Sequence, residues 1–134
     1  MTQETIHVIG GGLVGSLSAI FLAQKDYKVA LFERRPDMRS TDISAGRSIN
    51  LALTARGLKA LAEVGLREEV MALTIPMKGR MLHDMQGKTS FVPYGQKAHE
   101  VIYSISRGEL NKLLLSKAES YENVEIAFNQ RCLE

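Results

Sequence analysis

Gly10, Gly12 and Gly15 stand at G-x-G-x-x-G spacing, and an acid, Glu33, follows Gly15 by eighteen residues. The chemistry open to this set is capture of a pyrophosphate rather than bond breaking. Gly10 permits a tight turn, Gly12 has no side chain to hold phosphates away from the backbone, and Gly15 lets a helix close on a strand. A helix starting near Leu13 would point its unpaired N–H groups and positive dipole end at those phosphates. An acid at Glu33 suits the two hydroxyls of an adenosine ribose and repels a 2′-phosphate. FAD or NAD is therefore favoured over NADP as the tightly held cofactor, although Arg34 and Arg35 beside Glu33 soften the exclusion.

The elements around these residues have the required order. Ile6–Ile9 is a short β-branched run, so it reads as a strand. Leu13, Leu17, Ile20, Phe21 and Ala23 are apolar at helical spacing, with Ala19 small enough to lie near a sheet. Lys28–Phe32 reads as a second buried strand ending at Glu33. Asp26 stands where a glycine commonly turns the helix into that strand, and aspartate tolerates the left-handed conformation better than most residues. A membrane segment is the competing reading of Ile6–Gln24, which carries no acid, lysine or arginine. Three consecutive glycines inside a helix would cost about 1 kcal/mol each, and Glu4 stands where a signal peptide wants a basic residue.

Beyond Glu33, Arg34–Gly46 is polar and loop-like. Ser48–Leu53 precedes Thr54, a candidate N-cap for a helix over Ala55–Val64 that Gly65 closes, and Arg67–Leu73 adds a short helical stretch. Gly79–Met85 and Thr89–Tyr94 flank Gln86-Gly87-Lys88 as a hairpin, with Pro93 marking an edge. Val101–Ile105 is a further strand, Ser106-Arg107-Gly108-Glu109 a capping box ahead of Leu110, Leu113, Leu114 and Ala118, and Val124–Phe128 a last strand. The expected fold is α/β: a Rossmann-like nucleotide-binding domain with a mostly parallel sheet, plus the start of an antiparallel accessory sheet from residues 76–105. One domain over residues 1–134 is expected.

Composition narrows the function classes. Seventeen basic and fifteen acidic residues leave a net charge of +2, too slight to indicate nucleic acid. The single Cys132 has no internal disulfide partner, and His7, His83 and His99 are too far apart in sequence for a ligand cluster. A reducing cytoplasm and no metal are the expectations.

At Gly46-Arg47-Ser48-Ile49-Asn50-Leu51-Ala52-Leu53 the chain resembles the flavin-dependent aromatic hydroxylases. Agreement with the branch of that family that hydroxylates L-kynurenine continues through Ile75-Pro76-Met77, Arg80-Met81, Pro93-Tyr94-Gly95, Ser106-Arg107 and Leu110-Asn111-Lys112, so it covers essentially the whole chain. The resemblance implies a Rossmann-like FAD-binding domain, with FAD held at Gly10, Gly12, Val14 and Gly15, with Phe32, Glu33, Arg34 and Arg35 around the adenosine and Ala52 and Arg107 on the flavin side. It implies that Arg80 and Tyr94 bind the α-carboxylate of L-kynurenine, which FAD, NADPH as a transient reductant and O2 convert to 3-hydroxykynurenine in tryptophan catabolism and pyridine nucleotide biosynthesis. No side chain is assigned as a general acid or base. The resemblance also implies that the chain is the N-terminal part of a longer enzyme. By itself it is then expected to bind FAD weakly, to hydroxylate nothing, and to self-associate through uncovered apolar surface.

Each residue also has a plainer reading. Arg80 would ordinarily be a solvated strand residue and Tyr94 edge packing. Arg107 opens a capped helix, where its charge opposes the dipole, and a nearby anion would compensate. Arg47 is either a phosphate contact or a loop charge, His83 is a surface or structural residue, and Met77, Met81 and Met85 are expected to fill core. Sharing one carboxylate requires Arg80 and Tyr94 on one face, which an odd-membered loop of Gln86-Gly87-Lys88 provides by pairing them directly. The glycine turn and Glu33 alone also allow an NAD-dependent dehydrogenase or a non-catalytic nucleotide-binding module, and Arg80 would attract the carboxylate of another aromatic acid.

Overall fold

Three parallel strands in the order β1-β2-β8 form the sheet that carries the glycine turn: β1 (Thr5–Ile9), β2 (Lys28–Phe32) and β8 (Val124–Ala127). The computed structural model describes residues 4–40 and 49–133. It divides into two compact units, one of residues 1–49 and 107–134, the other of residues 50–106.

In the first unit β1 pairs with β2 from Thr5↔Lys28 to Ile9↔Phe32, and β2 pairs with β8 from Val29↔Val124 to Phe32↔Ala127. Helix α1 (Leu13–Ala23) buries Ser16, Ala19, Ile20 and Ala23. These sit at i, i+3, i+4 and i+7, one face of a helix. The buried stripe is thus mostly of small residues, whereas Leu17 and Phe21, expected on that face, are only partly covered. The last helix of the chain, α4 (Arg107–Glu119), packs on α1 and buries Leu110, Asn111, Leu114, Leu115 and Ala118. Asp26 adopts φ 63°, the left-handed turn expected where glycine is missing. Its N–H donates to the Ala23 carbonyl, so the turn ends α1 and delivers the chain into β2. After β2, Arg39 makes a two-pronged ion pair with Asp37 and a second with Glu119 of α4, which ties the described part of the loop down.

In the second unit β3 (Asn50–Leu53), β4 (Ile75–Met77) and β7 (Ile102–Ser106) form an antiparallel sheet in the order β3-β7-β4. Between them lie α2 (Ala55–Glu63) and α3 (Arg67–Met71), whose buried residues Leu58, Leu61 and Val70 join Leu53, Leu66 and Ile105 as core. Gly65 takes φ 77°, and its N–H and that of Leu66 donate to Ala62 and Leu61, the two bonds of a Schellman stop. Thr54 is the N-cap of α2 as expected, although its side chain makes no capping bond.

The hairpin pairs β5 (Gly79–His83) with β6 (Thr89–Pro93) in a register that sets Arg80 opposite Val92. The Asp84 carboxylate accepts from the N–H groups of Gln86 and Lys88, and Asp84 N–H bonds Lys88 C=O, so the loop closes on Met85-Gln86-Gly87. That loop is odd-membered as expected but one residue earlier, and the direct pairing of Arg80 with Tyr94 is corrected accordingly. Met81 and Met85 are exposed, at 54% and 101%, so the reading of these methionines as core filling fails for both. Among the described residues no helix is long and apolar enough to cross a membrane, and no cluster could hold a metal ion.

Candidate dinucleotide-binding site

The site begins where β1 ends. Gly10 has φ 100°, a conformation L side chains rarely adopt, and its N–H donates to the Phe32 carbonyl at 2.7 Å, tying the turn to β2. A methyl group placed on Gly15 would overlap the Gly10 carbonyl oxygen, so only glycine lets α1 start this close to the turn. Gly12 is different: a methyl there would meet nothing within 4 Å. It is the N-cap of α1, whose first turn carries no acidic residue. The first N–H groups of a helix have no partner inside it, and here no carboxylate of that turn competes with an anion for them.

An open groove of about 450 Å³ lies over this turn, lined by Gly10, Gly12, Phe32, Arg34 and Arg131 among others. Glu33 and Arg35 border it as well. Of the sequence-predicted residues, Gly10, Gly12, Phe32, Glu33, Arg34 and Arg35 therefore meet around one concavity. Gly15 lies beneath the turn, and Val14 stands 80% exposed on the first turn of α1. Size, uncapped N–H groups and arginines together fit the pyrophosphate and adenosine of FAD.

Glu33 is 5% exposed, and both oxygens of its carboxylate are hydrogen-bonded. Oε2 accepts from Gly11 N–H at 2.7 Å, while Oε1 accepts from Arg35 N–H at 2.9 Å and from Arg35 Nε at 2.8 Å. Burial acts to raise its pKa, but the Arg35 side chain, the Arg35 N–H and the Gly11 N–H outweigh burial and hold the carboxyl below its ordinary range. The same hydrogen bond raises the pKa of Arg35. Arg35, expected to weaken rejection of a 2′-phosphate, is thus paired with the acid beside it. The rings of Phe32 and His7 meet in a T-shaped arrangement, at 81° with centroids 5.6 Å apart.

Tertiary pairing adds residues that sequence reading missed. Asn129 N–H donates to Arg35 C=O and Gln130 N–H to Glu33 C=O, which brings Gln130, Arg131 and Cys132 to the groove wall. Nothing in their local sequence marks them. Asn111 is the second omission: its Nδ2 donates to the Gly11 carbonyl at 3.0 Å. A lone amide among the leucines of Leu110–Leu115 was the available signal.

The other candidates lie as follows. Ala52 is exposed on β3 opposite Ser104. Arg107 is exposed at the first position of α4, and its N–H donates to Ile49 C=O at 3.1 Å. Tyr94 N–H donates to Lys78 C=O at 3.0 Å, continuing the hairpin ladder beyond Pro93. Strand alternation then puts Tyr94 on the face of Val92 and Arg80, one diagonal step from Arg80. Both are exposed, Tyr94 at 44%. Arg47 lies outside the described residues.

Comparison with known proteins agrees with this geometry. Kynurenine 3-monooxygenase of Anopheles gambiae is 50% identical over 94% of this chain, which spans 26% of that protein's length. The protein of the same name from Myxococcus xanthus is 49% identical over 96% of the chain, here 28% of its length. The crystal structure of p-nitrophenol 4-monooxygenase from Pseudomonas putida superimposes with a TM-score of 0.74 at 19% identity, covering 94% of this chain and 32% of that one. The chain thus spans little more than a quarter of the curated relatives it matches. The model of the family described as FAD binding domain matches residues 3–134. An NAD-dependent dehydrogenase is thereby set aside. Because that match runs through the glycine turn, the hairpin and β8 alike, this chain belongs to the FAD binding domain family.

Proposed function

We propose that this chain is the FAD-binding, N-terminal part of a monooxygenase that hydroxylates L-kynurenine with NADPH and O2. The observation that carries the reading is the 50% identity to a kynurenine 3-monooxygenase over 126 residues, a length that necessarily takes in both the glycine turn and the hairpin. In this reading Gly10, Gly12, Val14 and Gly15 receive the pyrophosphate, and Phe32, Glu33, Arg34 and Arg35 surround the adenosine. Ala52 and Arg107 lie on the flavin side.

Bound FAD supplies the oxygen-transfer chemistry. The residues of the chain bind and orient. Arg80 offers a planar fork that takes both oxygens of the substrate carboxylate, and Tyr94 adds one hydroxyl donor from the same face of the hairpin. A reducing cytoplasmic setting fits the exposed free thiol of Cys132. Ile75, Met81, Leu82 and Phe91, all apolar and exposed, favour self-association of the isolated chain. A mass that stays monomeric as concentration rises would exclude it.

The deciding experiment is NADPH oxidation by the full-length protein, with the product identified. Stimulation by L-kynurenine and formation of 3-hydroxykynurenine are expected. Stimulation by a hydroxybenzoate instead would favour a hydroxylase of another aromatic acid, the second reading that Arg80 supports because a guanidinium receives any carboxylate.

A further inference from the structure

Asn111 interrupts the apolar face of α4. Leu110, Leu114, Leu115 and Ala118 are buried, and Asn111 is buried among them at 5% exposure. Its Nδ2 uses both protons, one on the Gly11 carbonyl at 3.0 Å and one on the Met38 Sδ at 3.0 Å. Its Oδ1 is buried with no partner among the described residues. Reversing the amide would set oxygen against the Gly11 carbonyl oxygen, so the carbonyl dictates the orientation. A buried polar atom without a partner lowers stability, so the amide is poorly explained as a packing residue.

What it holds is one peptide unit. The Gly11 N–H is taken by Glu33, and the Gly11 C=O accepts from Ser16 Oγ at 3.2 Å as well as from Asn111. The described chain has no cis peptide bond. In a trans peptide the C=O and the following N–H point in opposite directions. Drawing the Gly11 carbonyl towards α4 therefore turns the Gly12 N–H away from α4, and Gly12 lines the open groove.

We propose that Asn111 is a positioning residue that aims the Gly12 N–H at the pyrophosphate of bound FAD. The assignment rests on the FAD reading above. It differs from the contacts that touch the cofactor, because Asn111 acts only through the Gly11–Gly12 peptide.

The test uses the full-length protein with Asn111→Leu and, should leucine not be accommodated, Asn111→Ala. FAD affinity is measured by flavin fluorescence, melting is followed without FAD, and the Gly12 amide resonance is followed by NMR as ADP, which carries the same pyrophosphate, is added. Both variants are expected to bind FAD about tenfold more weakly, with a reduced Gly12 shift. Asn111→Leu removes the unpartnered Oδ1 along with the donor, so it should melt no lower than the parent chain. A purely structural role would instead lower the melting temperature and leave the Gly12 shift intact, and that result overturns the assignment. Variant affinity within about twofold of the parent would overturn it too. If the parent chain binds neither FAD nor ADP, the FAD reading falls and the assignment with it; if the parent binds and the variants match it, only the assignment falls.

Discussion

The Gly11 N–H donates to Oε2 of Glu33 at 2.7 Å, so the acid at the end of β2 grips the glycine turn itself. Sequence spacing alone directs this acid to a ribose. The fold gives it a second task, because β1 and β2 are paired in register and the turn leaving β1 crosses the end of β2. Glu33→Gln keeps the shape but replaces one acceptor oxygen with a donor, facing either Gly11 N–H or the donors of Arg35. A loss of about 2 kcal/mol is expected from breaking hydrogen bonds to a charged group, together with weaker FAD binding. Urea denaturation and FAD titration of the same preparation check both.

Acid sensitivity should follow from two carboxylates held low. Glu33 lies below its ordinary 4.5, its hydrogen bonds outweighing burial. Asp37 lies below its ordinary 3.8, chiefly through the hydrogen bond from the Arg39 side chain. In each case the folded chain binds its proton less readily than the unfolded chain. The stabilisation is therefore complete above the unfolded values and is lost as pH falls through them towards the lower folded values. Urea midpoints should stay level from about pH 7 to pH 5 and drop below that. Glu33→Gln should flatten the drop, and an unchanged acid limb in that variant would count against Glu33 as a source.

Two glycines in the turn should respond in opposite ways to the same substitution. Gly15→Ala drives a methyl into the Gly10 carbonyl and is expected to destabilise folding by about 1–3 kcal/mol, the range for overpacking. Gly12→Ala places its methyl in open space at an ordinary φ of −77°. Stability should change by only about 0.5 kcal/mol, the scale of a glycine-to-alanine change at an N-cap, while FAD binding weakens because the methyl occupies the phosphate path. Denaturation and FAD titration on both variants separate the effects.

On the hairpin, Arg80→Lys keeps the charge and removes the fork. In the full-length protein KM for L-kynurenine should rise about tenfold or more, the loss of one good charged hydrogen bond. Tyr94→Phe should raise it by up to about tenfold. FAD affinity should be unchanged in both. Steady-state kinetics beside FAD titration test this, and an unchanged KM in Arg80→Lys would remove Arg80 from the substrate site.

Cys132 offers a reporter that requires no substitution. It is the one cysteine in the sequence, its thiol is exposed, and it lines the groove beside Arg131. Maleimide labelling should slow as FAD is added, because the occupied groove covers the thiol. A labelling rate independent of FAD would place the cofactor elsewhere.

Much of the fold was legible in the residues because the informative signals are local. Val29–Phe32 is an apolar run of strand length, and Asp26 is among the few non-glycine residues that accept a left-handed turn; both stand as expected. The hairpin was legible but its register was not, since Gln86-Gly87 and Gln86-Gly87-Lys88 are both turn-like. The Asp84 carboxylate decides it by accepting from Gln86 and Lys88. The methionine pattern misled for a related reason: spacing shows which residues share a side, not whether anything covers that side.

The sequence by itself determined the glycine turn, the acid after β2 and the helix that opens at Leu13, because glycine φ, strand length and helix start are properties of neighbouring residues. Only the tertiary structure decided what surrounds that turn. Pairing of β8 with β2 carries Gln130–Cys132 to the groove, and packing of α4 on α1 brings Asn111 against Gly11, one hundred residues away along the chain. Contacts of that span depend on which strands pair and which helices pack, and no local spacing encodes either.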